Sequence, residues 1–376
     1  MLDFIKKEIL GVGFLRILLA LSIIFFHTRT HDVFFLLDGK TAFRTFFLIS
    51  GFYIALILHK KYGEQSYWLF ISNRLLKIFP SLLVVVSGTM IISLFAHFFY
   101  HNDLRLSFYF DNFNHINLWT MLIFIFSNIT TIGQDILLFF SYNGHGLELI
   151  KNLNVNESVV WSAMLAPQSW SLSFEILFYL IAPFIIKGTR KILYSLLAVS
   201  IISRLIVYFL FGTNNIFQGN FFLTELSFFL IGIILYDLYL KILDLNLSKI
   251  FMLIINFSVL FLVLIFGFIP LDISIKGPVF ISLICLALPI MFITGKDSAF
   301  DKALGDISYP IFLSQWLMMS FVLSFLNKDN LYFAPLVALL SIVSGVIIYL
   351  VIMRPIERVR QERIKYLDFR QTPNTK

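Results

Sequence analysis

The chain is a succession of apolar runs about twenty residues long, parted by short polar breaks. No other feature narrows its fold as much. About 20 residues is the length at which an α-helix crosses the roughly 30 Å hydrocarbon core of a bilayer. Inside that core every backbone N–H and C=O must find its partner within the protein. The runs fall at 12–28, 43–59, 79–100, 169–187, 191–211, 220–240, 249–268, 278–294, 307–326 and 331–353. They are too long and too little alternating for the strands of a membrane barrel, which take about 10 residues. Only 14% of the 376 residues are charged, against about 25% in soluble domains. That is too few to cover a folded surface in water, which excludes a soluble enzyme, a secreted disulfide scaffold and a disordered chain. The single cysteine, Cys285, excludes an internal disulfide and a cysteine metal cage. The expected fold is all-α: a polytopic helical membrane protein with about ten transmembrane helices.

The cations orient these runs. Lys6 and Lys7 precede the first, and Lys60, Lys61, Arg74 and Lys77 lie between the second and the start of the third. Lys187, Arg190 and Lys191 follow the fourth, and Arg354, Arg358, Arg360, Arg363 and Lys365 follow the last. Cytoplasmic loops carry the excess of Lys and Arg, so both termini are expected to be cytoplasmic, in the plasma membrane. The net charge, 29 − 22 = +7, reflects this orientation and not nucleic-acid binding. Between 101 and 168 the chain must then cross an even number of times. The apolar stretch 116–141 carries Asn128, Thr130, Thr131, Gln134 and Asp135, and reads as a re-entrant or outer-surface segment. The expected organisation is an integral-membrane domain over 1–360 and a short basic cytoplasmic tail over 361–376. The first run resembles a signal peptide but lacks a small-residue cleavage site, so it is taken as the first span. The N-x-S/T triplets at Asn128 and Asn156 are read as chance.

Charge at membrane depth is costly and faces protein or a water-filled cavity. Arg16, His27, Arg44, Glu175, Arg204, Glu225 and Asp237 all fall within the runs. Arg16 and His27 are eleven apart, about 20° from alignment on one helix face and about 16 Å apart along the axis. That face has a fixed cation toward the cytoplasm and a titratable imidazole toward the outside. The plainer alternative has Arg16 snorkelling to the inner interface and His27 capping the helix end. Trp170-Ser171-Leu172-Ser173-Phe174-Glu175 opens the fourth run, with Ser171 and Glu175 on one face. A carboxylate in the outer half suits the orientation of an imidazole base. It equally suits an ion pair with Arg204 or Arg44, or the helix dipole. Arg74 and Lys77 share a face before Pro80 and read either as phosphate ligands or as orientation signals. Ser50-Gly51 allows close helix packing or ligand approach, and Gln315 is a polar residue facing something specific. His97 and His101, four apart, lack carboxylate or cysteine partners in the sequence, so no metal site is expected. There is no nucleotide-binding loop, dinucleotide fingerprint, zinc-protease motif or nucleophile elbow.

Together these elements resemble the acyltransferase-3 family of integral-membrane O-acyltransferases, from about Leu15 to Pro355. Arg16, ten residues, then His27 matches the family's Arg-x10-His signature. Phe46-Phe47-Leu48-Ile49-Ser50-Gly51-Phe52 matches its FFxxSGF segment. Phe70, Arg74, Lys77 and Pro80 match its basic stretch, with Lys77 for the usual second Arg. Trp170 to Glu175, with Phe178-Tyr179, matches WSLSxExxFY, and Gly305-Asp306-Ile307-Ser308-Tyr309 matches the late G-x-I-S-Y element. The chain departs from the pattern at Arg44, where an acidic residue is frequent, at Ile176 and Met353 for the same reason, and at Gln315, where a His is common.

The resemblance implies acyl transfer, usually of acetyl from cytoplasmic acetyl-CoA, with no bound cofactor. The implied acceptor is a hydroxyl of a cell-surface glycan or its lipid-linked precursor. It implies His27 as general base, Glu175 as the carboxylate that orients it, and Arg16, Arg74 and Lys77 as donor-binding residues. Trp170, Ser171, Ser173, Ser50, Gly51, Tyr309 and Gln315 are the candidate acceptor or supporting residues. An added hydrolase-like domain is not expected after the tenth run. The rival readings are a transporter or flippase for a lipid-linked sugar or small anion, against which no inverted repeat of interrupted spans is seen, and an inactive homologue acting as an assembly partner.

Overall fold

The computed structural model describes residues 10–28, 36–62, 66–150, 159–212, 217–245 and 247–371. Lys6, Lys7 and Asn156 lie outside the described residues. The long helices, in order, are α1 (Val12–Thr28), α2 (Gly39–Lys61), α3 (Tyr67–Tyr100), α4 (Leu118–Thr130), α5 (Trp170–Lys187), α6 (Arg190–Phe211), α7 (Phe222–Leu243), α8 (Lys249–Ile265), α9 (Ile273–Gly295), α10 (Ala299–Leu323), α11 (Phe333–Ile348) and α12 (Arg354–Gln371). Each of the ten expected runs lies on one of them. Eight helices among the described residues are long and apolar enough to cross a membrane, counting α8 as far as Phe268 and α11 together with its continuation into α12; α1 stops at 17 residues and α10 opens on charged residues. The chain is a multi-pass helical membrane protein.

The boundaries differ from expectation where polar residues are engaged inside a helix. α3 begins at Tyr67 rather than near 79, so Arg74 and Lys77 are inside it. α10 begins at Ala299 rather than 307, because Ser298 Oγ accepts the Asp301 N–H at 3.0 Å and caps the first turn. Between α11 and α12 a five-residue π turn, Tyr349–Met353, absorbs Pro355. Proline has no N–H to give its i−4 carbonyl, and a wider turn accommodates the break.

The stretch at 116–141 holds no helix long enough to cross a membrane. Its helix α4 has 13 residues, a rise of about 20 Å, and ends at Thr131 and Gly133, both in left-handed conformation. A short helix, Gln134–Leu137, and a hairpin of three-residue strands follow, β1 (Phe140–Tyr142) pairing antiparallel with β2 (Leu147–Leu149). This hairpin is the one departure from an all-helical chain among the described residues. Asn143-Gly144 builds its turn: Asn143 Oδ1 accepts the N–H groups of His145 and Gly146 at 3.0 Å each, and Gly144 takes φ +88°.

The chain forms two compact units. The first is Met1–Tyr53, Leu196–Arg204 and Leu223–Val346; the second is Ile54–Ser195, Leu205–Phe222 and Ile347–Lys376. In the first, α1 and α10 pack side by side and parallel. Gly13 meets Asp301 at their starts and His27 meets Trp316 near their ends. Two odd-numbered crossings would have this relation. Between them Ala20 and Ile24 bury against Ile311, Met319 and Val322, with Phe333 and Val337 of α11. The same unit packs α2 parallel to α7, two even-numbered runs. A Cβ on Gly51 would stand 2.0 Å from the Phe229 carbonyl, and one on Gly232 2.3 Å from the Leu48 carbonyl. Only glycine permits this approach. In the second unit α3 and α5 are antiparallel, with the Tyr67 hydroxyl donating to the Leu180 carbonyl at 3.2 Å and Phe70 edge-on to Tyr179.

Candidate functional site

The candidate residues divide between the two units, with Arg16, His27, Ser50, Gly51, Tyr309 and Gln315 in the first, and Arg74, Lys77, Trp170, Ser171, Ser173 and Glu175 in the second.

In the first unit, α1 is held at its N-terminal end by a carboxylate from α10. Asp301 Oδ1 accepts the N–H groups of Gly11 and Phe14 at 2.7 and 2.9 Å, and Oδ2 accepts that of Gly13 at 2.9 Å. These are the donors a helix leaves unpaired in its first turn, and an anion is also what the dipole favours there. Gly13 is required because a Cβ would lie 1.7 Å from the Asp301 carbonyl oxygen. Arg16 follows one turn on. Its Nη1 lies 3.6 Å from where a Cβ of Gly305 would stand, and its Nε is buried without a partner among the described residues. The glycine of the late G-x-I-S-Y element therefore makes room for α1 and the Arg16 guanidinium.

His27 is partly exposed near the end of α1. Its ring lies 5.6 Å from Trp316 and 5.4 Å, edge-on, from Phe26. No described residue hydrogen-bonds it. Gln315, the residue before Trp316, is 2% exposed and both amide heteroatoms are buried without a partner among the described residues. Tyr309 lies on the same helix beside buried Ser308, whose hydroxyl donates to the Gly305 carbonyl at 2.8 Å.

Arg44 and Arg204 are committed to Glu225, a pairing the sequence reading did not make. Glu225 is 0% exposed. Its Oε2 accepts from Arg44 Nε at 2.9 Å, and its Oε1 accepts from Arg44 Nη2 at 3.0 Å and Arg204 Nη2 at 2.9 Å. Both guanidiniums lie over the Phe228 ring, at 5.3 and 4.7 Å. Arg44, the departure from the family pattern, thus has its own carboxylate. Gly51 of the SGF segment is a packing residue, as the Phe229 contact shows.

In the second unit the start of α5 is tied to the 118–137 segment. Ser169 Oγ donates to Gln134 Oε1 at 2.8 Å, and Ser173 Oγ donates to Asp135 Oδ1 at 2.6 Å. Asn128 donates to the Ala163 carbonyl at 3.0 Å and accepts the Leu165 N–H at 2.7 Å. Its buried, doubly engaged amide is no glycan acceptor. These bonds are why the polar residues of that stretch sit amid apolar ones. Beside them, Arg105 donates to the Trp161 carbonyl at 2.9 Å, and burial lowers its guanidinium to about 10, still charged at neutral pH. Trp170 is edge-on to Phe174 at 5.4 Å, and Ser171 Oγ donates to the Gln168 carbonyl at 3.1 Å. Glu175 Oε2 accepts from Tyr179 Oη at 2.7 Å, so the Phe-Tyr end of the motif holds its carboxylate.

Arg74 is 7% exposed, with its guanidinium 5.8 Å from the Phe70 ring and its Nε buried without a partner among the described residues. Lys77 is one turn further along α3. His97 has the carboxylate neighbour the sequence did not reveal: its Nδ1 lies 2.5 Å from Asp103 Oδ1. Two groups make no cage, and among the described residues no three His, Cys, Asp or Glu side chains could hold a metal.

A family model for an acyltransferase domain, acyltransferase 3, matches residues 9–354. Among curated proteins, one from Staphylococcus aureus strain COL, assigned as an O-acetyltransferase by inference, is 27% identical over 246 residues, 61% of this chain and 34% of that one. The counterpart from strain MSSA476, assigned likewise, is 27% identical over 242 residues, 60% of this chain and 34% of that one. The match spans about a third of the length of these relatives. No solved structure matches. With its model matched over 9–354, the chain belongs to the acyltransferase-3 family.

Proposed function

We propose that this protein is a plasma-membrane O-acyltransferase that moves an acyl group, acetyl first among the candidates, from cytoplasmic acetyl-CoA to a hydroxyl of a cell-surface glycan or its lipid-linked precursor. His27 takes the proton of the acceptor hydroxyl. The oxygen attacks the thioester carbonyl, the C–S bond breaks, and the proton passes to the departing thiolate, giving an ester and free thiol. Arg16, Arg74 and Lys77 bind the donor. Glu175, with Trp170, Ser171 and Ser173, serves the acceptor and the base, and Tyr309 and Gln315 support them.

The observation that carries this reading is the His27 ring: partly exposed, flanked by Trp316, and free of any hydrogen bond from the described residues. A general base needs an accessible nitrogen within reach of its proton. The polar atoms of Arg16 and Gln315 that lack partners lie on the two helices that frame this ring. The family membership supports the reaction class.

Radiolabelled acetyl-CoA, the purified protein and a glycan extract test the reading. His27→Ala should lose about 10²–10⁴-fold of the transfer rate, the range general-base catalysis contributes, at unchanged expression. Near-full activity in that variant removes His27 from the mechanism. Label that never enters glycan, in the unaltered protein, removes the activity itself.

A further inference from the structure

The basic helix α12 presents two different faces. Arg354, Arg358 and Lys365 are exposed, lie on one side at helical spacing, and suit an anionic membrane surface. Arg360 and Arg363 lie on the other. Arg360 is buried and paired with Glu357. Arg363 docks on the start of α3, its Nη1 donating to Asn73 Oδ1 at 2.9 Å and its Nη2 to Ser72 Oγ at 2.8 Å. Asn73 is itself held by donating to Tyr62 Oη at 3.0 Å.

The residue after Asn73 is Arg74, buried and with its Nε unpartnered. Neither guanidinium has a carboxylate partner among the described residues. One turn of α3 therefore carries one buried guanidinium and holds a second, half-buried one, neither with a carboxylate among the described residues. A guanidinium without an anionic partner is unfavourable where it is buried. A ligand with more than one phosphate resolves both.

We propose that Arg363, positioned by Ser72 and Asn73, is a second phosphate-binding residue of the donor site, acting beside Arg74 on a phosphorylated thioester of the coenzyme A type. This rests on the donor assignment made above. It makes α12 a wall of the donor site and its outward face alone a membrane contact.

The test uses the full-length protein in nanodiscs of neutral lipid, with coenzyme A binding and transfer from two donors, acetyl-CoA and phosphate-free S-acetylpantetheine. Arg363→Gln should bind coenzyme A about tenfold to a hundredfold more weakly, as loss of charge-assisted bonds to phosphate predicts. It should transfer from S-acetylpantetheine at the unaltered rate, and Arg363→Lys should recover part of the coenzyme A affinity. Unchanged coenzyme A binding in Arg363→Gln overturns the inference and leaves the donor reading standing. So does an equal loss with both donors, which marks a structural strut, or a loss confined to binding of phosphatidylglycerol vesicles. An unaltered protein that binds no coenzyme A takes down the donor reading and this inference together.

Discussion

Asp301 offers the sharpest test of how α1, which carries both Arg16 and His27, is held. Its two oxygens accept three backbone N–H groups of the first turn at 2.7–2.9 Å. The two substitutions remove different numbers of them. Asparagine keeps Oδ1, and with it the Gly11 and Phe14 donors, but turns an N–H toward Gly13 and abolishes the charge. Leaving one buried donor unsatisfied costs about 1–3 kcal/mol, and loss of the anion adds up to about 2 kcal/mol in a partly buried setting. Allowing for overlap of the two terms, Asp301→Asn should cost about 2 kcal/mol. Alanine orphans all three donors and opens space beside Gly13, and should cost about 4 kcal/mol on the same scale. Hydrogen exchange reads the effect where it arises. At 1.4 kcal/mol per tenfold, amides in a peptide covering 10–16 should exchange about 30-fold faster in Asp301→Asn and about 1000-fold faster in Asp301→Ala. Peptides from α3 and α5 should barely change. Equal protection in both variants, or exchange that rises evenly along the chain, would refute the capping argument, because neither outcome follows from counting acceptors at one helix end.

Two further outcomes follow from the packing. Glu225→Gln leaves two guanidiniums without their anion and should destabilise the protein by about 3–5 kcal/mol, read as a large drop in melting temperature in detergent. A variant that melts like the parent would mean water already screens the triad. Gly51→Ala and Gly232→Ala each force a Cβ into a facing carbonyl, at about 1–3 kcal/mol for overpacking. Because the first change already separates α2 from α7, the double variant should cost less than the two singles together. Simple additivity in thermal unfolding would show that the two glycines do not share one crossing.

Much of this fold is legible in the sequence because lipid imposes a local rule. A segment that must satisfy its own backbone has to be a helix of about 20 residues, so the runs predict the helices without knowledge of their neighbours. The polar residues of 116–141 likewise set that stretch apart from the long helices, whereas the hairpin that follows was not anticipated, the apolar residues around Asn143-Gly144 masking its strands. Long-range partners were not legible. Asp301 caps a helix 290 residues away in sequence, and Glu225 takes Arg44 from 181 residues away. A lone carboxylate in a run announces that it needs a partner and says nothing about which one. Arg44 and Arg204 were open as partners of Glu175 for that reason, until their pairing with Glu225 fixed them.

The motif residues separate into two kinds once their surroundings are known. Gly51, Gly305 and Ser173 are accounted for by a helix crossing, by room for a guanidinium and by a bond to Asp135. Arg16, Arg74 and Gln315 are not accounted for in this way, since each keeps a buried polar atom that nothing among the described residues satisfies. At membrane depth such an atom is expensive, and on the proposed function a substrate would satisfy it. Gln315 bears on the chemistry as well. It stands where members of the family commonly carry a His, one residue from the Trp316 ring that flanks His27. An amide both donates and accepts but does not titrate. It can hold a hydroxyl in place and cannot take its proton, so on the proposed mechanism the proton falls to His27 alone.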